Sequence, residues 1–99
     1  MEKTKTFYAR VTEVWGGSQL EENDYATYYD DKSLAKEAFE REQKNVYDVF
    51  ADDYDSSEIT VTDGYLSDGE RVCRITAKSG DDSDVCVIRL KELKMICLD

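Results

Sequence analysis

The chain has 99 residues, 40% hydrophobic and 36% charged, with 23 acidic residues against 13 basic ones and a formal net charge of −10. That length fits one domain that can bury a modest core without metal or disulfide staples. The negative balance excludes a protein that works by neutralising phosphates, and the absence of histidine excludes Ser-His-Asp or Cys-His catalysis within the chain.

Seven Tyr, three Phe and one Trp separate this composition from that of acidic disordered chains, so a folded domain spanning residues 1–99 is expected. The three cysteines, Cys73, Cys86 and Cys97, form no CxxC pair and read as small buried hydrophobes in a reducing cytoplasm. The opening Met1-Glu2-Lys3-Thr4-Lys5 is too short and polar for a targeting segment, and no apolar run is long enough to span a bilayer.

Residues 6–15 alternate, with Phe7, Ala9, Val11 and Trp15 on one side and Tyr8, Arg10 and Thr12 on the other. This pattern, rich in aromatic and β-branched residues, predicts a half-buried strand. Trp15 either closes the end of the core or anchors a partner. Gly16-Gly17-Ser18 breaks the strand, an acidic loop runs through Asp24, and Tyr25-Ala26-Thr27-Tyr28-Tyr29 reads as a second strand and hairpin partner.

Asp30, Asp31 or Ser33 can cap a helix, because a short oxygen-bearing side chain satisfies a free N–H of the first turn. From Leu34 to about Phe50 the apolar spacing becomes helical, placing Leu34, Ala35, Ala38, Phe39, Val46, Val49 and Phe50 near one stripe. The helix runs into Asp52-Asp53-Tyr54-Asp55, whose charge sits unfavourably at the negative end of the helix dipole. Strands follow at 58–62, 71–78 and 84–93, separated by Asp-Gly turns and by Ser79-Gly80-Asp81-Asp82-Ser83. Short links favour an antiparallel meander. Met95, Ile96 and Leu98 extend the last strand or dock a tail. The order β-β-α-β-β-β predicts a two-layer α+β domain, one helix packed on an antiparallel sheet.

No phosphate-binding glycine loop, dinucleotide fingerprint or four-ligand zinc pattern occurs. Asp52 to Glu58 and Asp81 to Asp84 concentrate oxygen ligands, but neither follows the alternating spacing of a calcium loop. Carboxylate pairs in exposed loops lack the pre-organised cleft that catalysis requires. The expectation is therefore a non-enzyme with no cofactor and no metal.

The acids are clustered. Residues 11–31 hold six carboxylates and residues 45–70 hold eight, with no Lys or Arg in either stretch. Surfaces ordinarily mix both signs, and solubility alone accounts for scattered acids better than for base-free blocks. Tyrosines interleave with these acids, offering rigid contact area while the carboxylates steer and pair with Arg and Lys. The expected partner-binding residues are Glu21, Glu22, Asp24, Tyr28, Asp30, Asp31, Asp52, Asp53, Tyr54 and Asp55.

In size, net charge and acid clustering, though not in any sequence motif, the chain resembles the small acidic inhibitors that phages and mobile elements use against nucleic-acid-handling defence systems. Anti-restriction and anti-CRISPR proteins are examples. The resemblance implies a nucleic-acid mimic docking on a basic site of a larger protein, such as a nuclease or other effector, with no direct nucleic-acid or membrane binding. A second function class is a structural or assembly accessory that pairs through a sheet edge, as a homodimer or with another chain. Its hook is the apolar tail Lys94-Met95-Ile96-Cys97-Leu98, with the acids then serving only solubility.

Overall fold

The computed structural model describes residues 2–16, 25–67 and 69–98, with side chains described at 4–13, 26–67 and 69–94. Strands β1 (Glu2–Gly16) and β2 (Tyr25–Tyr29) precede a helix α1 (Lys32–Asp53) and a short 3-10 turn (Ser56–Glu58). Strands β3 (Ile59–Tyr65), β4 (Arg71–Ser79) and β5 (Asp82–Leu98) complete the chain. The five strands form one antiparallel sheet in the order β2-β1-β5-β4-β3. With α1 laid on one face, this is the expected two-layer α+β fold. The expected β1–β2 hairpin and the β3-β4-β5 meander are both present. The two are joined by the long pairing of β1 with β5, which runs from Glu2↔Leu98 to Gly16↔Asp84.

Asp31 supplies the cap of α1. Its carboxylate accepts from the Ser33 N–H at 2.8 Å, the Ser33 hydroxyl at 2.6 Å and the Leu34 N–H at 3.4 Å. These donors hold the carboxyl below its usual range. Ala35, Ala38, Phe39 and Phe50 face the sheet and are buried. Leu34 and Val49, expected on the same stripe, are 50% and 61% exposed, at the edges of the stripe that Ala35, Ala38, Phe39 and Phe50 centre on the sheet.

The core lies between α1 and the middle strands. Phe39 and Phe50 pack with Cys73, Ile75, Ala77, Cys86 and Ile88, and Val46, Tyr54, Ile59 and Leu90 close around them. Register explains the set: Ile75 lies opposite Cys86, and Cys73 opposite Ile88. Alternation therefore points all four at the helix.

Strand β1 turns its polar side to α1. Thr12, fully buried and opposite Ile88, donates to Glu42 of the helix at 3.0 Å. Arg10 pairs with the same carboxylate and donates to Thr12 and Thr27. The apolar side of β1, Phe7, Ala9 and Val11, thus faces away from the helix. There it lies in register with Leu93, Lys91 and Arg89. Hydrophobic alternation identified the strand correctly but does not by itself say which side the helix will cover. In β1 the Arg10–Glu42 pair marks that side.

The tail Lys94-Met95-Ile96-Cys97-Leu98 is the end of β5 and pairs with Thr6 to Glu2 of β1. Of the two expected placements, extending the last strand is the one observed. Residues 2–7 and 93–98 form a two-stranded ribbon beyond the sheet. The ribbon stretches the molecule to 58 × 25 × 24 Å and its radius of gyration to 15.9 Å, against roughly 13 Å for a compact chain of this length. Among the described residues, no helix is long and apolar enough to cross a membrane.

Candidate functional site

The end of α1 and the β4–β5 turn meet at one end of the sheet. Asp52 and Asp53 close the helix, with no basic residue in its last turn. Tyr54 follows as the C-terminal cap, its N–H donating to the Phe50 carbonyl at 2.8 Å. Asp55 opens the 3-10 turn, where its N–H donates to Glu58 Oε1 at 2.9 Å and the Glu58 N–H donates back to the Asp55 carbonyl at 2.8 Å. The Ser79 hydroxyl and the Asp55 N–H hold the Glu58 carboxyl below the usual carboxylate range.

The opposing wall is the β4–β5 hairpin. Its two-residue turn, Gly80-Asp81, needs the positive φ of +59° that Gly80 adopts. This tight reversal exposes Asp81 and Asp82 and brings Asp84 opposite Ala77. Tyr54 bridges the two walls. Its ring meets Phe50 edge to face, with centroids 6.3 Å apart, and its hydroxyl donates to Asp84 Oδ2 at 2.8 Å.

The Tyr54 phenol reports the resulting field. Its pKa is pushed up to about 12, chiefly by the hydrogen bond to Asp84, then by partial burial and the charges of Asp84, Asp82 and Asp53. A phenolate there would face acids from both walls. Asp53, Asp82 and Asp84 thus act on one phenol, Asp52, Asp55, Glu58 and Asp81 neighbour them along the chain, and Lys78 lies on β4 opposite Ser83.

Of the expected partner-binding residues, Asp52, Asp53, Tyr54 and Asp55 lie in this cluster. Asp30 and Asp31 sit at the other end of α1, about 33 Å away along 22 residues of helix. Asp31 is engaged in capping there, and Asp30 is exposed. Tyr28, 63% exposed, lies on the sheet face away from the helix, its ring centroid 6.0 Å from that of Phe7. Glu21, Glu22 and Asp24 lie outside the described residues, as does the Trp15 side chain. Asp63, another acid of the second block, is paired with Arg71 at 2.8 Å and accepts from Gln43 at 2.9 Å. Asp81, Asp82 and Asp84 were missing from the expected set. Their turn was legible in the sequence, but its place beside the helix end depends on the β3-β4-β5 order.

The end opposite the acids has another character. A cleft of about 620 Å³ between the first turns of α1, β5 and the β3–β4 connection is lined by Lys32, Lys36, Arg71 and Lys91, against Glu70 and Glu92. The two described cysteines are buried, and burial pushes both thiols up, Cys86 to about 11. Both lie in the core between the sheet and α1. Among the described residues, no group of three or more His, Cys, Asp or Glu side chains is arranged to hold a metal ion. No protein-family model, curated protein or solved structure matches the chain.

Proposed function

We propose that this protein is a non-enzymatic binding domain that docks its acidic end on a basic surface of a larger nucleic-acid-handling protein, in the manner of a nucleic-acid mimic. One observation carries this reading: carboxylates from the helix end, the 3-10 turn and the β4–β5 hairpin share one surface, and the Tyr54 phenol feels both walls of it. Such a surface offers charged acceptors to Arg and Lys as a phosphate row does. Its field accelerates encounter with basic partners and repels free nucleic acid.

Affinity capture from host lysate, with and without added duplex DNA, tests the proposal. The wild-type chain should retain a nucleic-acid-handling protein that DNA displaces. Retention should fall steeply with ionic strength, since exposed charges are screened over about 8–10 Å. The combined substitution Asp52→Asn, Asp53→Asn, Asp55→Asn and Asp82→Asn should abolish capture while leaving the circular dichroism spectrum unchanged. Capture that survives molar salt, or that ignores both DNA and the asparagines, rules out charge mimicry.

A further inference from the structure

Helix α1 covers one face of the sheet, and alternation assigns each residue of β4 and β5 to that face or to the other. Cys73, Ile75, Ala77, Cys86 and Ile88 mark the covered side. Arg74 and Lys78 of β4, with Arg89 and Lys91 of β5, therefore point away from the helix, and Val72, Val85 and Val87 stand among them. Charge separates with the faces. The acids of β5, Asp82, Asp84 and Glu92, lie on the helix side, so these two strands send four bases and no acid to the other. The chain as a whole carries −10, which makes this face opposite in sign to the molecule that bears it.

These charges are only partly cancelled. Lys91 stands 4.0 Å from Glu70, and Arg89 lies 3.6 Å from Glu13 of β1 with its Nε shut from solvent and without a hydrogen bond. Arg74 and Lys78 are exposed and form no ion pair among the described residues. Arg74, Arg89 and Glu13 rim an open depression of about 360 Å³ floored by Val85 and Val87. We propose that this face holds an extended acidic segment of a partner protein, lying along β4 and β5. Arg74 and Lys78 are separated by about 13 Å along one strand. A segment with carboxylates four residues apart meets both, and its residue midway between them lies over Thr76 and Val85, which are paired. A nucleic-acid strand has the same sign but binds a sheet by stacking bases on exposed rings. Valine and threonine occupy the positions between these bases, and Phe7 and Tyr28 are engaged with each other at 6.0 Å. A second copy laid face to face would set arginine against arginine.

This inference goes beyond the acidic-end reading and does not depend on it. Fluorescence anisotropy on the full chain tests it, with a labelled peptide in which every fourth residue is Glu, Val stands midway between, and Ser fills the rest. The wild type should bind this probe saturably. Arg74→Gln and Lys78→Gln, both at exposed positions, should each weaken binding about tenfold, the loss of one charge-assisted hydrogen bond, with an unchanged circular dichroism spectrum. Lys36→Gln on the helix should bind as the wild type does. A peptide with Lys in place of Glu should not bind, and oligothymidylate should not displace the probe. Absence of saturable binding, or binding indifferent to both β4 substitutions, overturns the inference. Equal binding of the lysine peptide does so too, and displacement by oligothymidylate would make the face a nucleic-acid site instead. None of these variants alters an acid, so this surface can fail while the capture experiment succeeds, and the reverse.

Discussion

Tyr54 ties three parts of the chain together through one phenol. Its backbone caps α1, its ring rests on Phe50, and its hydroxyl holds Asp84. The pKa, raised from 10.0 to about 12, links this contact to stability. Below pH 10 the phenol is protonated whether the chain is folded or unfolded, and the contribution is complete. Between 10 and about 12 the unfolded chain loses the proton first, so stability falls as pH rises. An alkaline titration followed by phenolate absorbance should show one phenol ionising near pH 12, absent in Tyr54→Phe, and the variant should lose less stability over that window. A wild-type spectrum with no late phenol would remove the bridge. Asp31 has the opposite sign. Its lowered carboxyl supports α1 above the ordinary value of 3.8, and that support is lost as the solution is acidified through the folded-state value.

Within the elements, α1 carries both its stabilising and its opposing charges openly. Its first turn holds Lys32 and no acid, and its last turn holds Asp52 and Asp53 and no base, so each end reinforces the helix dipole where stability favours the reverse. Stability comes instead from Phe39 and Phe50 in the core and from the Arg10–Glu42 pair, whose side chains are 11% and 12% exposed. A buried pair costs desolvation when formed and far more when half removed. Glu42→Ala should therefore destabilise by about 3–5 kcal/mol, and joint replacement of Arg10 by Met and Glu42 by Leu should recover most of that loss. Urea denaturation measures both. Equal losses in the single and double variants would mean that the pair contributes through its geometry and not through an uncompensated charge.

For the whole molecule, the longest dimension is 58 Å and the acid cluster sits at one end of α1. The acidic end and the lysine-lined cleft lie at opposite ends of α1, and the β1–β5 ribbon continues past the cleft. Among the described residues, no other strand pairs with residues 2–7 or 93–98. A chain truncated after Leu93 should stay folded, and small-angle scattering should show its radius of gyration falling from 15.9 Å toward the roughly 13 Å of a compact domain. Cooperative unfolding on truncation would instead make the ribbon part of the core.

The identity and order of the elements were legible in the residues themselves. Backbone geometry imposes a side-chain period of 3.6 on a helix and 2 on a strand. Phe39 with Phe50, Cys73 with Ile75, and Cys86 with Ile88 therefore declare their elements over a few residues of chain. Gly80 likewise announces a turn, and Asp30, Asp31 and Ser33 together announce a cap that the structure assigns to Asp31, because few residues satisfy those backbone conformations or orphan donors. Strand order could not be read this way. The central pairing of β1 with β5 joins residues from opposite ends of the chain, and its free energy comes from packing shared with α1, not from any local preference. Strand order then governs the rest: it puts Asp84 within reach of Tyr54, leaves β3 at an edge, and turns Arg10 and Thr12 inward beneath Glu42. Composition alone set the amount of negative charge, while the tertiary structure decided which carboxylates stand together, because neighbours in space are chosen by competition among whole arrangements of the sheet.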